Sequence, residues 1–345
     1  MEDPKGNIDA QVPVVSVVVT TYQHAPFIEK CVQGILMQRT DFPFEILIGE
    51  DESTDGTREI CERLAAEHPD RIRLFLRSRK DVIYVMGKPT GRSNFVGLMR
   101  SATGKYIALC EGDDHWIDPL KLQRQVDAME ADPRATGCFT NAYNEQDGVR
   151  TAFLGVYARM PAGPVLDEAE YLSGQGIPTC TFIYRRDLAQ EFFNVHLRFA
   201  GGDTPLFTVL LCQGHFIVQP EFTGVRVIHP GGIYSMQGAL HHLKVRLRNS
   251  RAQDEVTKGR HSAILRRRLS SVLRGAWLEG IRTKNRPLAS LAWRHLFWER
   301  STMGWSLRAL LANGLRVNAP RLYAFLDQLR WRVKGYLGLL DRPAR

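Results

Sequence analysis

Glu111-Gly112-Asp113-Asp114-His115 puts three carboxylates into four positions at the end of the apolar run Tyr106-Ile107-Ala108-Leu109-Cys110. Like charges this close repel, and holding them together is costly unless a cation sits among them. Carboxylate oxygens are the ligands that Mg²⁺ and Mn²⁺ prefer, with phosphate and water completing the shell. A strand ending in this cluster therefore predicts a metal-bridged diphosphate. The competing reading is a solvated acidic turn before a helix, since Asp118-Pro119 has the form of an N-cap and a first-turn proline.

The elements that must position this cluster alternate in period. Val14-Val15-Ser16-Val17-Val18-Val19 reads as a buried strand, and residues 25–37 space their apolar side chains at helical intervals. Phe44 to Ile48 is a second strand, 57–66 a helix, 71–76 a third strand, 94–102 a helix and 106–110 a fourth strand. Leu122, Val126 and Met129 mark a helix behind it. This alternation predicts an α/β fold with a mostly parallel sheet and helices on both faces. Ligands of such sheets bind beyond the carboxyl ends of the strands. Thr20-Thr21-Tyr22, Glu50-Asp51-Glu52-Ser53 and Glu111 to Asp114 all fall there, at three different strand ends.

Composition narrows the classes. At 345 residues and 44% hydrophobic the chain can bury a full core, and no run approaches the length that spans a bilayer. The start, Met1-Glu2-Asp3-Pro4-Lys5, lacks the basic and apolar parts of a signal peptide. Its six scattered cysteines have no CxxC pair and no zinc spacing, and read as buried hydrophobes of a reducing compartment. A cytoplasmic protein is expected. No G-x-G-x-x-G follows the first strand, and Gly87-Lys88-Pro89-Thr90-Gly91-Arg92-Ser93 lacks the order of a P-loop, leaving a connecting loop or a pyrophosphate contact. Arg92 and Asn94 are, by composition and position, candidates for that contact.

Three blocks now carry a resemblance: Val17-Val18-Val19-Thr20-Thr21-Tyr22, Gly49 to Thr57, and Gly104 to Asp114. With Gly202-Asp203-Thr204-Pro205-Leu206-Phe207 and His229-Pro230-Gly231-Gly232, they resemble, in order and over residues 14–235, the family 2 glycosyltransferases of GT-A fold. The resemblance implies a hexosyltransferase-type enzyme of bacterial polysaccharide or glycoconjugate synthesis. Thr20, Tyr22 and Asp51 would then hold the nucleoside, with Tyr22 stacking on the base and Asp51 accepting from its ring N–H. The family's D-x-D metal motif aligns to Glu111-Gly112-Asp113, with Glu in place of the first Asp, so Asp113 and Asp114 rank ahead of Glu111 as metal ligands. Asp113 would also contact the nucleotide. His229, at a strand end before a Gly-Gly turn, is either structural or a metal or diphosphate contact.

The implied chemistry is transfer from a nucleotide sugar, UDP preferred and TDP close behind, to a glycan or lipid-linked hydroxyl. Mg²⁺ or Mn²⁺ would stabilise the leaving diphosphate. Asp203 is the candidate base for the acceptor hydroxyl, and equally an N-cap for the apolar run after it. One base and in-line attack invert the anomeric centre. The alternatives are a nucleotide-sugar-binding or assembly protein that has lost its chemistry, and a nucleotidyltransferase. Retention of Asp51, Asp113, Asp114 and Asp203 favours the enzyme.

The net charge of +9 is unevenly spread. Residues 240–345 carry 23 Lys/Arg against 6 Asp/Glu, a balance of +17, which leaves −8 for residues 1–239. The expected division is a catalytic domain over 1–239 and a basic, mostly helical extension over 240–345. Leu322, Leu326, Leu329, Val333, Tyr336 and Leu340 form a stripe at helical spacing, with Arg321, Arg330, Arg332 and Lys334 off it. Such a helix lies on an anionic inner leaflet, which would make the protein peripheral there, or packs on its own domain. Trp293, Trp298, Trp305 and Trp331 supply aromatics suited to an interface. No nucleic-acid recognition motif is present.

Overall fold

In a computed structural model, the structure describes residues 12–153, 165–232 and 237–298, together with 314, 325, 326, 328 and 329. It divides into two compact units, residues 1–236 with 255–259, and residues 237–254 with 260–345.

The first unit opens with β1 (Val15–Thr21), α1 (Ile28–Leu36), β2 (Phe44–Glu50), α2 (Thr57–Glu67) and β3 (Ile72–Leu76). β1 and β2 are covered on both faces, which is why they are almost continuously apolar. α1 lays Ile28, Cys31, Val32 and Ile35 on the sheet, one face at helical spacing. After β3 comes a hairpin, β4 (Ile83–Val85) and β5 (Lys88–Thr90), whose second strand falls within the expected loop over residues 87–93. Its two turn residues, Met86 and Gly87, both have positive φ (53° and 77°), the backbone of a two-residue type I′ turn.

There follow α3 (Arg92–Ser101), β6 (Tyr106–Leu109), β7 (His115–Trp116), α4 (Lys121–Ala131), β8 (Ala135–Gln146) and β9 (Val149–Ala152). β10 (Val165–Leu166), α5 (Glu168–Ser173), β11 (Ile183–Arg185), α6 (Gln190–Val195), α7 (Thr204–Leu211) and β12 (His215–Val227) complete the unit. The main sheet runs β10-β12-β8-β11-β6-β1-β2-β3. Its half from β6 to β3 is parallel, as expected. Beyond β6 the sheet is mixed: β11 is antiparallel to both neighbours, while β12 runs parallel to β8.

This order decides where a ligand can go. β2 and β3 are added on one side of β1, and β6 then returns to the other. The chain therefore reverses direction of growth between β1 and β6, which opens a crevice at their carboxyl ends.

The second unit contains α8 (Ala239–Val256), α9 (Ser262–Arg282) and α10 (Arg286–Trp298). Leu243, Leu273, Trp277, Leu288 and Leu296 form its core. α9 and α10 cross closely at Gly280, where a Cβ would come within 2.6 Å of the Ala289 nitrogen. Trp293 packs against this core, so it is a structural aromatic and not the interfacial one expected. Among the described residues no helix is long and apolar enough to cross a membrane. Most of the stripe from Leu322 to Leu340, with Trp305 and Trp331, lies outside the described residues. Leu326 and Leu329 are described and exposed, as is Phe325 beside them.

Candidate active site

Main-chain hydrogen bonds sew the strand ends together at the crevice. Cys110 N–H donates to the Val18 carbonyl at 3.2 Å, and Gly112 N–H to Thr20 at 2.9 Å, so the acidic segment continues the β6–β1 ladder past the strands. Asp51 N–H does the same to Thr21 at 3.1 Å. Gly112 is required for this approach, because a Cβ there would sit 2.7 Å from the Thr21 side chain.

The three carboxylates of the acidic cluster separate into different environments. Asp113 is partly open and meets two imidazoles: His229 Nε2 lies 3.1 Å from its Oδ2, and His24 Nε2 lies 3.8 Å from the same oxygen. One ligand atom from each of the three falls within 4.8 Å of the others. Two neutral nitrogens and a carboxylate oxygen form a donor set that fits a divalent cation. Burial lowers the pKa of His24, against the pull of Asp113, and so favours the neutral, ligating form.

Asp114 is turned away from that group. It is buried, and its Oδ1 accepts the N–H of Val227 at 2.9 Å. Its contribution here is to hold the end of β12, two residues before His229. Burial pushes its carboxyl well up, with Asp113 and Glu111 adding to the shift. Glu111 is half-buried, and its Oε2 is buried without a hydrogen-bond partner among the described residues. Burial, then the Asp113 charge and more weakly Asp203, push it up to about 8. Neither Asp114 nor Glu111 joins the three-residue cluster, so their expected role as ligands is not what this geometry favours.

Tyr22 and Asp51, the expected nucleoside contacts, share a partner that the sequence did not reveal. The Arg79 guanidinium stacks 4.0 Å from the centre of the Tyr22 ring, and its Nη1 donates to Asp51 Oδ2 at 3.0 Å. Burial raises the Asp51 carboxyl despite this cation, and Glu50 adds to the rise. Thr20 stands beside them on β1, half-buried, with its carbonyl already taken by Gly112. Arg79 lies in the turn after β3, where no periodicity or motif marks it.

Asp203 begins α7 and does cap it: Oδ1 accepts Thr204 N–H at 2.6 Å, while Oδ2 accepts the Thr179 hydroxyl at 3.0 Å. Thr179 lies three residues before Phe182, whose carbonyl accepts Leu109 N–H at 2.9 Å, so Asp203 is anchored to the segment that pairs with the end of β6. Arg92 does not reach for a diphosphate. It is buried, and its guanidinium donates to the carbonyls of His196 (2.7 Å), Phe199 (3.1 Å), Ala200 (3.2 Å) and Gly201, the segment that delivers Asp203. Asn94 is likewise buried, with Nδ2 donating to the Gly49 carbonyl at 2.7 Å. The sequence offers both as candidates for a pyrophosphate contact, but helix α3 turns their side chains inward onto main-chain carbonyls. His24 was missed because a lone histidine after a strand carries no signal until β12 brings His229 beside it.

The chain is similar in sequence and in fold to several known proteins. An uncharacterized protein of Mycobacterium tuberculosis is 38% identical over 125 residues, 36% of this chain and 34% of that protein. The chain thus spans about a third of the length of the relatives it first matches. An uncharacterized glycosyltransferase of Nostoc is 30% identical over 52% of the chain and 53% of its own length. Among solved structures, Staphylococcus aureus TarS in complex with UDP-GlcNAc superposes with a TM-score of 0.54 at 13% identity, covering 83% of this chain and 92% of that one. The mannosyltransferase PcManGT of Pyrobaculum calidifontis, in complex with GDP-Man and Mn²⁺, gives 0.52 at 19% identity over 96% and 90%. These likenesses bear out the GT-A fold. Residues 16–193, more than half of the chain, match the profile of Glycosyl transferase family 2, and the chain belongs to that family.

Proposed function

We propose that this glycosyltransferase moves a hexose from a nucleotide sugar, with UDP the preferred nucleotide, to a hydroxyl of a glycan or lipid-linked acceptor, inverting the anomeric centre. The observation that supports the reading is the pairing of Asp113 with His229 at 3.1 Å by the β1/β6 reversal, with Asp203 tied through Thr179 to the segment that pairs with the end of β6. Tyr22 supplies a ring for the base, and Asp51 an acceptor for its N–H, on the donor side. A divalent cation held by Asp113 and His229 would stabilise the diphosphate as it leaves.

On the acceptor side, Asp203 takes the hydroxyl proton as the new C1–O bond forms and the C1–O(phosphate) bond breaks. Its Oδ2 is held by Thr179 and its Oδ1 by the start of α7, so the carboxylate arrives oriented. A single displacement of this kind inverts configuration.

The acceptor class rests on relatives. A putative teichuronic acid biosynthesis glycosyltransferase of Bacillus subtilis is 30% identical over 34% of the chain, and a Campylobacter jejuni β-1,3-glucosyltransferase acting on an undecaprenol-linked glycan is 23% identical over 64%. Cell-surface polysaccharide or glycoconjugate synthesis on the cytoplasmic side of the inner membrane fits both. The excess of Lys and Arg after residue 240 suits an anionic leaflet carrying such an acceptor.

A panel of UDP-, TDP- and GDP-sugars, assayed for nucleotide release with Mg²⁺ or Mn²⁺ and with EDTA, tests the reading. Metal-dependent release from one of the UDP-sugars is expected. Binding of a nucleotide sugar without release or transfer under any condition would leave a binding or assembly protein instead.

A further inference from the structure

Three chain segments meet at Asp113, and only two of them are accounted for by the reading above. The third brings His24, whose position is set with unusual care. Gln23 before it takes a left-handed φ of 57°, a strained turn for a residue with a side chain, and is held there by Ser53 and Thr54. His24 N–H donates to Thr57 Oγ1 at 2.8 Å, and its carbonyl accepts from Phe27 and Ile28. The Phe27 ring then packs against both imidazoles, with centroids 6.4 Å from His24 and 4.6 Å from His229.

With its backbone so fixed, the His24 ring makes no hydrogen bond among the described residues. Nδ1 is buried without a partner, and Nε2 points at Asp113 from 3.8 Å, too far for a hydrogen bond. Ligand atoms around a small divalent ion with bonds of about 2.1 Å stand about 3 to 3.5 Å apart. The separation of 3.1 Å from Asp113 Oδ2 to His229 falls in that range, and the 3.8 Å to His24 lies just above it.

We propose that His24 is a third protein ligand of the cation site, making it a two-histidine, one-carboxylate centre that takes a first-row transition ion in preference to Mg²⁺ and holds it before any nucleotide arrives. Imidazole nitrogen suits transition ions, whereas Mg²⁺ demands oxygen and dehydrates reluctantly. A site with only one or two carboxylates would instead depend on the diphosphate to complete its shell. This inference rests on the cation reading of the proposed function.

The test titrates Co²⁺ into the full chain without nucleotide, following its visible d–d absorption, and repeats the titration with Mn²⁺ by electron paramagnetic resonance. One site is expected, tighter for Co²⁺ than for Mn²⁺, and an excess of Mg²⁺ of about 100-fold should leave most Co²⁺ bound. His24→Gln should weaken Co²⁺ binding by about 10- to 100-fold, with an unchanged thermal melt in EDTA. His24→Asp should recover cation binding but let Mg²⁺ compete. Wild-type affinity in His24→Gln, or displacement of Co²⁺ by equimolar Mg²⁺, overturns the proposal and leaves the glycosyl-transfer reading standing. Failure of every nucleotide sugar in the donor panel, with the metal titrations as expected, would instead remove the glycosyl-transfer reading.

Discussion

Asp114 accepts the backbone N–H of Val227 at 2.9 Å, a bond between residues more than a hundred positions apart. It ties the acidic segment after β6 to the last residue of β12, and His229 follows two residues later. The neighbouring Asp113 thereby faces an imidazole that no local interaction could have brought to it. Asp114→Asn keeps an acceptor for Val227 and should be tolerated. Asp114→Ala leaves a buried N–H unpaired and should cost about 1–3 kcal/mol in urea unfolding, with cation affinity falling alongside.

Asp203→Asn separates chemistry from structure. Asparagine caps a helix as well as aspartate does, so the melt should not move. Nucleotide-sugar affinity should stay within a few-fold while transfer falls by about 10²–10⁴-fold. Near-normal turnover would reduce Asp203 to the cap of α7.

Arg92 acts through the segment it grips. Arg92→Ala should destabilise the fold by about 2–4 kcal/mol, because several buried carbonyls lose a charged donor. In the folded fraction, kcat should fall with donor KM little changed, since the segment it holds carries Asp203 and not the nucleoside contacts. Lysine cannot reproduce the fork and should rescue poorly. An increase in donor KM alone, with kcat unchanged, would restore the pyrophosphate contact that the sequence suggested.

Glu45 predicts the acid limb of stability. It accepts from the hydroxyls of Ser16 (2.6 Å) and Thr103 (2.7 Å) and from Arg73 (2.8 Å). Burial pushes its carboxyl up, but these hydrogen bonds outweigh it and hold the group below its ordinary value of 4.5. Its stabilisation is therefore complete above that pH and is lost as pH falls through the lowered value. Glu45→Gln should lower stability at pH 7 and flatten the decline below about pH 4.5, measured by urea unfolding across pH. An unchanged acid slope in the variant would mean the carboxylate is not preferentially stabilised in the fold.

The basic second unit is tested on vesicles. Co-sedimentation of the full chain with anionic vesicles is expected at low salt. It should fade as ionic strength rises past about 0.15 M, where the screening length is near 8 Å. Equal binding to neutral vesicles, or none to either, would mean the charge serves another purpose.

The order of strands and helices from β1 to α4 was legible in sequence because burial on a sheet imposes period on the residues themselves. Residues 87–93 read as loop, since the strand β5 within them is too short to show alternation. The polar ends of β1, β2 and β6 could be assigned to one site by the rule that parallel strands offer their carboxyl ends to ligands. What each carboxylate does there could not, because that depends on partners far away in the chain. Asp113 and Asp114 are adjacent and chemically identical, yet strand geometry turns one toward His24 and His229 and the other onto Val227. Arg92, expected at a pyrophosphate, is buried by α3 against residues 196–201 for the same reason, and the turn after β3 swings Arg79, which the sequence did not mark, over Tyr22. Local pattern determines which face of an element is buried. Only the long-range pairing of β12 with β8 and β7 decides which polar groups meet.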